Sequence, residues 1–222
     1  MRSPPSKCYG LRLCIAVVAI IVPAGVMAQT LFPVFPPGHS MTDGNSFSTI
    51  PFTASSNTVR FQQVYSADGF IAQAGNVPYL IRSVAFRMDA GRPAFGSTFP
   101  DFHLTISTTS RGIDGLSTSF ADNVGADVMD IFPRGAFSYA GDPSGSGGFS
   151  SILLPTPFYY DPSQGNLLLD FRNFGGGSTV YGQPPFFGPA YVDAADVLGD
   201  RVSSADATAA EAPGQARVSL GG

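Results

Sequence analysis

Residues 157–174 read PFYYDPSQGNLLLDFRNF, and no other stretch constrains the fold as much. Asp161 opens a turn, Pro162 presets the φ of the next position, and Gly165 supplies a positive φ leading into a strand. In that strand Leu167, Leu169 and Phe171 share one face, while Leu168, Asp170, Arg172 and Phe174 share the other. This is the pattern of an interior strand with partial cover on both sides. The charge on Asp170 therefore needs a partner. Arg172 stands two residues on, on the same face, and Arg82 or Arg87 would reach it from another strand. A structural ion pair is the reading of Asp170, ahead of a catalytic acid or base.

Strands rather than helices must supply that cover. Lys7 and Glu211 are the only lysine and glutamate, so the residues that usually fill exposed helix faces are almost missing. Charged residues make up 13% of the chain, while 26 Gly and 19 Pro punctuate it. Alternation from Thr58 to Tyr65, from Tyr79 to Met88 and from Asp101 to Thr109 marks three strands. In the second, Leu80, Val84, Phe86 and Met88 are read on one face, with a bulge at Ile81. In the third, Phe102, Leu104 and Ile106 face inward, and His103, Thr105, Ser107 and Thr109 face water. The span 112–127 is a long connection with one short helical turn, anchored by Leu116 and Phe120. Two short strands, 127–132 and 135–140, are broken at Pro133. Residues 142–148 are a turn, 149–154 another strand, and Arg201-Val202-Ser203 a last short one. The pattern predicts an all-β fold, an antiparallel β-sandwich of jelly-roll type. The expected body spans 47–192, preceded by an extended arm at 29–46. A poorly ordered Ala/Gly-rich tail is expected at 193–222.

Residues 1–28 read as a secretory signal peptide. Arg2, Lys7 and Arg12 precede the apolar run Leu13 to Val22, and Val26 and Ala28 sit at −3 and −1 of a cleavage site before Gln29. The run is shorter than the roughly 20 residues that span a bilayer. Cleavage removes Cys8 and Cys14, so the processed chain has no disulfide and no thiolate site. It also leaves nine arginines against fifteen aspartates and one glutamate, a net charge of −7. Such a surface repels phosphates, so neither nucleic acid nor, after cleavage, a membrane is an expected partner.

The strings FQQVYSADGF, IRSVAFRMD, FHLTISTTSRGIDGLSTSFADNVGAD and PFYYDPSQGNLLLDFRNF resemble uncharacterised secreted bacterial β-sandwich proteins of the PEP-CTERM, exosortase-sorted type. The likeness covers about Thr58 to Phe174, and YDPxxGNLLLD is its most specific block. It implies export and display in the envelope or an extracellular polymer matrix, with no catalytic residue to carry over. The sorting tail of that group (Pro-Glu-Pro, an apolar segment, a basic end) has no counterpart here. Glu211 is followed by Pro213 without an apolar run, and the chain ends SLGG. The expectation is release without an anchor, or a C-terminus truncated relative to relatives.

Chemistry-bearing residues are few. A hydrolytic triad needs a histidine base, and only His39, in the arm, and His103 exist; both read as surface histidines. G-x-S-x-G elbows, phosphate loops, zinc motifs and dinucleotide fingerprints are missing. A glycosidase would need two aspartates. Asp114, Asp122, Asp127 and Asp130 cluster with Asn123 in a glycine-rich stretch, and hard oxygen donors of this kind would suit Ca²⁺, the one cofactor considered. Turn formation accounts for them equally well. Tyr159, Tyr160, Tyr181, Phe186, Phe187 and Tyr191 flank the last hairpin and would form a sugar-binding platform if exposed. The expected function is thus an exported non-catalytic sandwich of the cell surface or matrix, with polysaccharide or other surface proteins as partners. A carbohydrate-binding module is the alternative, and an aspartate-dependent glycoside hydrolase the third reading.

Overall fold

The computed structural model describes residues 15–21, 29–35, 40–41, 46–48, 52, 58–90, 92–142, 148–181, 186–187, 192–194 and 200–212. In chain order the strands are β1 (Ile15–Ile21), β2 (Gln29–Leu31), β3 (Val34–Phe35), β4 (Ser46–Ser48) and β5 (Val59–Tyr65). After helix α1 (Ala67–Ala74) come β6 (Tyr79–Arg87), β7 (Phe95–Thr109), β8 (Met129–Gly141), β9 (Phe149–Tyr160) and β10 (Asn166–Asn173). The last are β11 (Ser178–Tyr181), β12 (Phe186–Phe187), β13 (Val192–Ala194) and β14 (Asp200–Ser204). Every pairing is antiparallel.

Two sheets face each other. One has the order β2-β1-β6-β9, with β3 also on β1. The other runs β12-β11-β7-β10-β5-β14, with β8 on the far side of β7. β4 and β13 form a separate two-stranded ribbon. Between the sheets lies one apolar core. Ile15, Val17, Ile81, Val84, Phe86, Ile152, Leu154 and Phe158 come from the first sheet, and Phe61, Phe102, Leu104, Ile106, Leu167, Leu169 and Phe171 from the second. The expected all-β sandwich is therefore the fold. Phe52 sits at its centre, stacked on Tyr139 at 4.6 Å and edge-on to Phe86 at 5.3 Å. With no tryptophan, clustered phenylalanines supply the large buried surfaces.

Several elements differ from the sequence expectation. The apolar run expected as an export leader is β1 in the full-length chain, a central strand with Ile15 and Val17 fully buried. Ile15, Ala16 and Val17 are all buried, and an unbroken apolar run rich in Ile and Val suits a strand covered on both faces. In β6 the bulge is at Arg82, which has no partner on β1 between Ile81 and Ser83, so Tyr79 and Ile81, not Leu80, join Val84 and Phe86 in the core. Pro133 does not break β8, and β9 runs on through Pro155 and Pro157 to Tyr160. Among the described residues β8 pairs only with β7, and β9 only with β6. An edge strand tolerates proline because the missing N–H faces away from the partner.

The arm docks on the body through one of its two phenylalanines: Phe35 is buried 4.4 Å from Phe70, while Phe32 is exposed. Helix α1 was not expected. Ser66 caps it by accepting the Asp68 N–H at 3.1 Å, and Phe70 packs into the core. The last short strand expected at 201–203 is β14, paired with β5. The tail after it is corrected: residues 205–212 fold back over the second sheet, where Ala212 N–H bonds Thr118 O at 2.7 Å and Phe120 N–H bonds Ala210 O at 3.1 Å. Small alanines permit that close backbone approach, and Ala207 and Ala212 are buried. Residues 195–199 and 213–222 of that segment lie outside the described residues.

Candidate functional site

The densest polar chemistry lies on the outer face of the second sheet, on its two central strands. β5 and β10 pair with Asp170 opposite Gln62 and Arg172 opposite Arg60. Because Phe61 and Phe171 point into the core, their neighbours Arg60, Gln62, Asp170 and Arg172 point to the opposite face. The connection 116–124 and the tail roof that face. Leu116, Phe120, Val202 and Ala212 close on Val64 and Leu168 as a second, smaller apolar cluster.

Under this roof Asp170 is 3% exposed. Arg60 donates to it twice, Nε to Oδ1 at 3.3 Å and an Nη to Oδ2 at 2.8 Å, and Gln62 Nε2 donates to Oδ2 at 2.9 Å. Arg172 adds a longer contact at 3.4 Å. The other Nη of Arg60 bonds Ala209 O at 3.0 Å, and its guanidinium lies 4.4 Å over the Phe120 ring. Asn123 completes the cluster: its Nδ2 bonds Gln62 Oε1 at 3.0 Å and Ser117 O at 2.8 Å, and its Oδ1 accepts the Ser117 N–H at 2.7 Å. The ion pair expected for Asp170 is present, but its main partner is Arg60 across the strand pair. Arg82 and Arg87 belong to the other sheet. Both Asp170 oxygens are engaged by protein donors, so the arrangement is a clasp tying β5, β10, the 116–124 connection and the tail together.

Among the described residues the expected aromatic platform does not assemble. Tyr159 is exposed, but Tyr160 and Tyr181 are buried in different sheets. Tyr160 donates its hydroxyl to Gly165 O at 2.9 Å, and Tyr181 packs on Phe95 at 5.9 Å. Alternation decides this outcome: Phe158 and Tyr160 share the inward face of β9, leaving Tyr159 alone outside. Tyr191 lies outside the described residues, as do the side chains of Phe186 and Phe187.

Nor are the four aspartates brought together. Asp127 Oδ1 accepts the Thr108 N–H at 2.8 Å, Asp122 Oδ2 accepts from the Ser117 hydroxyl at 3.3 Å, and Asp130 Oδ1 meets His103 Nε2 at 2.7 Å. Asp114 occupies a left-handed position with φ 66°. Among the described residues no group of three or more His, Cys, Asp or Glu is placed to hold a metal ion. His103 is half-buried against Asp130, and Ser107 and Thr109, expected to face water, are buried because the 111–125 connection covers them. His39 lies outside the described residues. Beside His103, Arg134 grips Asp101 through two bonds of 2.8 and 2.7 Å and lies 3.7 Å over Phe174. That guanidinium holds the Asp101 carboxyl below the usual carboxylate range. A shallow depression lined by Phe95, Ala140, Gly141, Asp142, Phe149 and Ser150 lies where β7, β8 and β9 meet.

Sequence reasoning missed Arg60 and Gln62 as partners of Asp170, and placed Asn123 with the four aspartates instead. The signal for the first two was available: Arg60 and Gln62 alternate with Phe61, as Asp170 and Arg172 alternate with Phe171. No family model matches the chain, and no curated protein or solved structure matches it. Among the described residues no helix is long and apolar enough to cross a membrane.

Proposed function

We propose that this chain is an exported, non-catalytic β-sandwich protein that serves as a structural or interaction component of the cell surface or extracellular matrix. The observation that carries the reading is the basic start, apolar run and small-residue cleavage pattern before Gln29. The resemblance to secreted PEP-CTERM-type sandwich proteins adds to it. So does the use of the candidate catalytic groups: Asp170 is spent on Arg60 and Gln62, and His103 on Asp130. The acidic, lysine-free surface of the processed chain suits an extracellular setting of neutral or cationic partners, with polysaccharide or other surface proteins as the classes to test.

Fractionation of the producing cells tests the reading. The protein is expected outside the inner membrane, accessible to added protease, with an intact mass that starts at Gln29. Recovery from the cytoplasm with residues 1–28 attached would overturn it.

A further inference from the structure

Removing residues 1–28 has a structural consequence, because those residues include β1. In the full chain β1 lies along β6 in seven pairs, from Ile15 opposite Phe86 to Ile21 opposite Tyr79, and fills the core with Ile15 and Val17. Without it, β6 keeps β9 on one side and presents an open row of N–H and C=O groups on the other. β2 and β3 also lose β1, the strand they pair with. Two of the strands that lie at the edges of the sheets carry proline, Pro133 on β8 and Pro155 and Pro157 on β9. β6 has no proline, and its only charges are Arg82 and Arg87. It is built as a covered strand.

Its own pattern says what can cover it. The bulge between Ile81 and Ser83 makes Tyr79, Ile81, Val84 and Phe86 the core-facing set, and this set is symmetric about the Arg82–Ser83 bond. Two β6 strands related by a two-fold axis would pair antiparallel, with Tyr79 opposite Phe86 of the second copy and Ile81 opposite Val84. The outward positions match as well, Leu80 opposite Ala85 and Arg82 opposite Ser83, so no like charges meet. A regular strand without the bulge would lose this match, since a one-residue slip turns every side chain to the wrong face. The arm is a poorer substitute. β2 and β3 run antiparallel to β1 and hence parallel to β6, and Pro33 interrupts them.

We propose that export processing opens β6 as a strand-pairing edge and that the processed chain closes it with a second copy of itself, joining two sandwiches through a continuous β9-β6-β6-β9 sheet. This rests on leader removal before Gln29. Such a two-fold contact is self-complementary and closes at the dimer.

The test compares the exported protein with the full chain 1–222 retained in the cytoplasm, by intact mass, light scattering and hydrogen exchange. The full chain is expected as a monomer. The exported chain, starting at Gln29, is expected at twice its chain mass with the amides of Tyr79–Phe86 protected. A synthetic peptide of residues 15–21 is expected to halve that mass by reoccupying the edge. A processed monomer, folded or unfolded, overturns the proposal while leaving export standing, and so does a dimer that the peptide leaves intact. An exported protein that still carries residues 15–21 instead overturns the leader reading, a result the intact mass reports separately.

Discussion

Arg60 and Asp170 stand diagonally across two adjacent strands and form a two-point ion pair, at 3.3 and 2.8 Å, sealed beneath the tail. A buried pair of this kind costs desolvation on both sides, so its presence stabilises less than its disruption destabilises. Asp170→Asn would leave the Arg60 charge buried beside a neutral amide and is expected to cost about 3–5 kcal/mol. The double variant Arg60→Met, Asp170→Leu removes both charges and is expected to be more stable than the single one. Urea denaturation of the three proteins checks the order; equal midpoints for the single variant and the parent would show that the pair is not sealed.

The roof over that pair yields a second prediction. Ending the chain after Ser204 removes Ala209 O from Arg60 and uncovers Phe120 and Leu116. Four hydrogen bonds to the body go with it, those to Ala205 O, Ala209 O and Ala210 O and that from the Ala212 N–H, and with the lost apolar burial they correspond to about 3–6 kcal/mol. Exchange of the amides from Ser117 to Asn123 is expected to accelerate more than that of β7 or β10. Uniform acceleration across the sheets would mean that the tail supports the fold globally rather than roofing one face.

High pH supplies a third. Tyr139 is buried and donates to Ser150 O at 2.9 Å, and burial pushes its phenol, like that of Tyr160, far above the ordinary tyrosine range. In the unfolded chain the same groups ionise near pH 10. The unfolded state therefore binds fewer protons above that pH, so this stability is complete below about pH 10 and lost as pH rises further. Tyrosinate absorbance from Tyr139 and Tyr160 is expected to develop only together with loss of the fold. Titration of every tyrosine near pH 10 with the sheets intact would contradict their burial.

Much of the sheet arrangement was legible because alternation in β7 and β10 follows directly from the strand period. Asp161 and Gly165 likewise formed the expected turn: Asp161 Oδ1 accepts the Ser163 N–H at 2.9 Å, and Gly165 has φ 149° with Thr109 O where a Cβ would stand. What was not legible depended on neighbours distant in sequence. Whether Leu80 or Ile81 faces the core is decided by the extra residue in β6, Arg82, which has no partner on β1. Pro133 stays inside β8 because nothing pairs on its far side among the described residues. The tail has no periodicity of its own and is ordered by what Phe120 and Thr118 offer it. Tyr159 and Tyr160 part for a simpler reason: adjacent residues on a regular stretch of strand face opposite ways.

Gly69 offers a prediction in which two effects oppose each other. It lies inside α1, where alanine would gain about 1 kcal/mol in helix propensity. A Cβ there would stand 2.5 Å from the Phe35 ring, and that ring is held between Phe70 at 4.4 Å and Tyr65 at 5.8 Å. Pushing the ring would also strain the bonds between Val34 and Gln73, whose side-chain amide both accepts the Val34 N–H at 2.9 Å and donates to its carbonyl at 3.1 Å. Overpacking of this kind costs about 1–3 kcal/mol and outweighs the propensity gain. Gly69→Ala is therefore expected to lower the thermal midpoint, with shifts confined to Phe35, Val34 and α1 in an amide spectrum. A rise in the midpoint would show that the arm yields to the helix. The same glycine explains why α1 was unexpected: the residue that weakens the helix locally is the one that lets the arm dock on it.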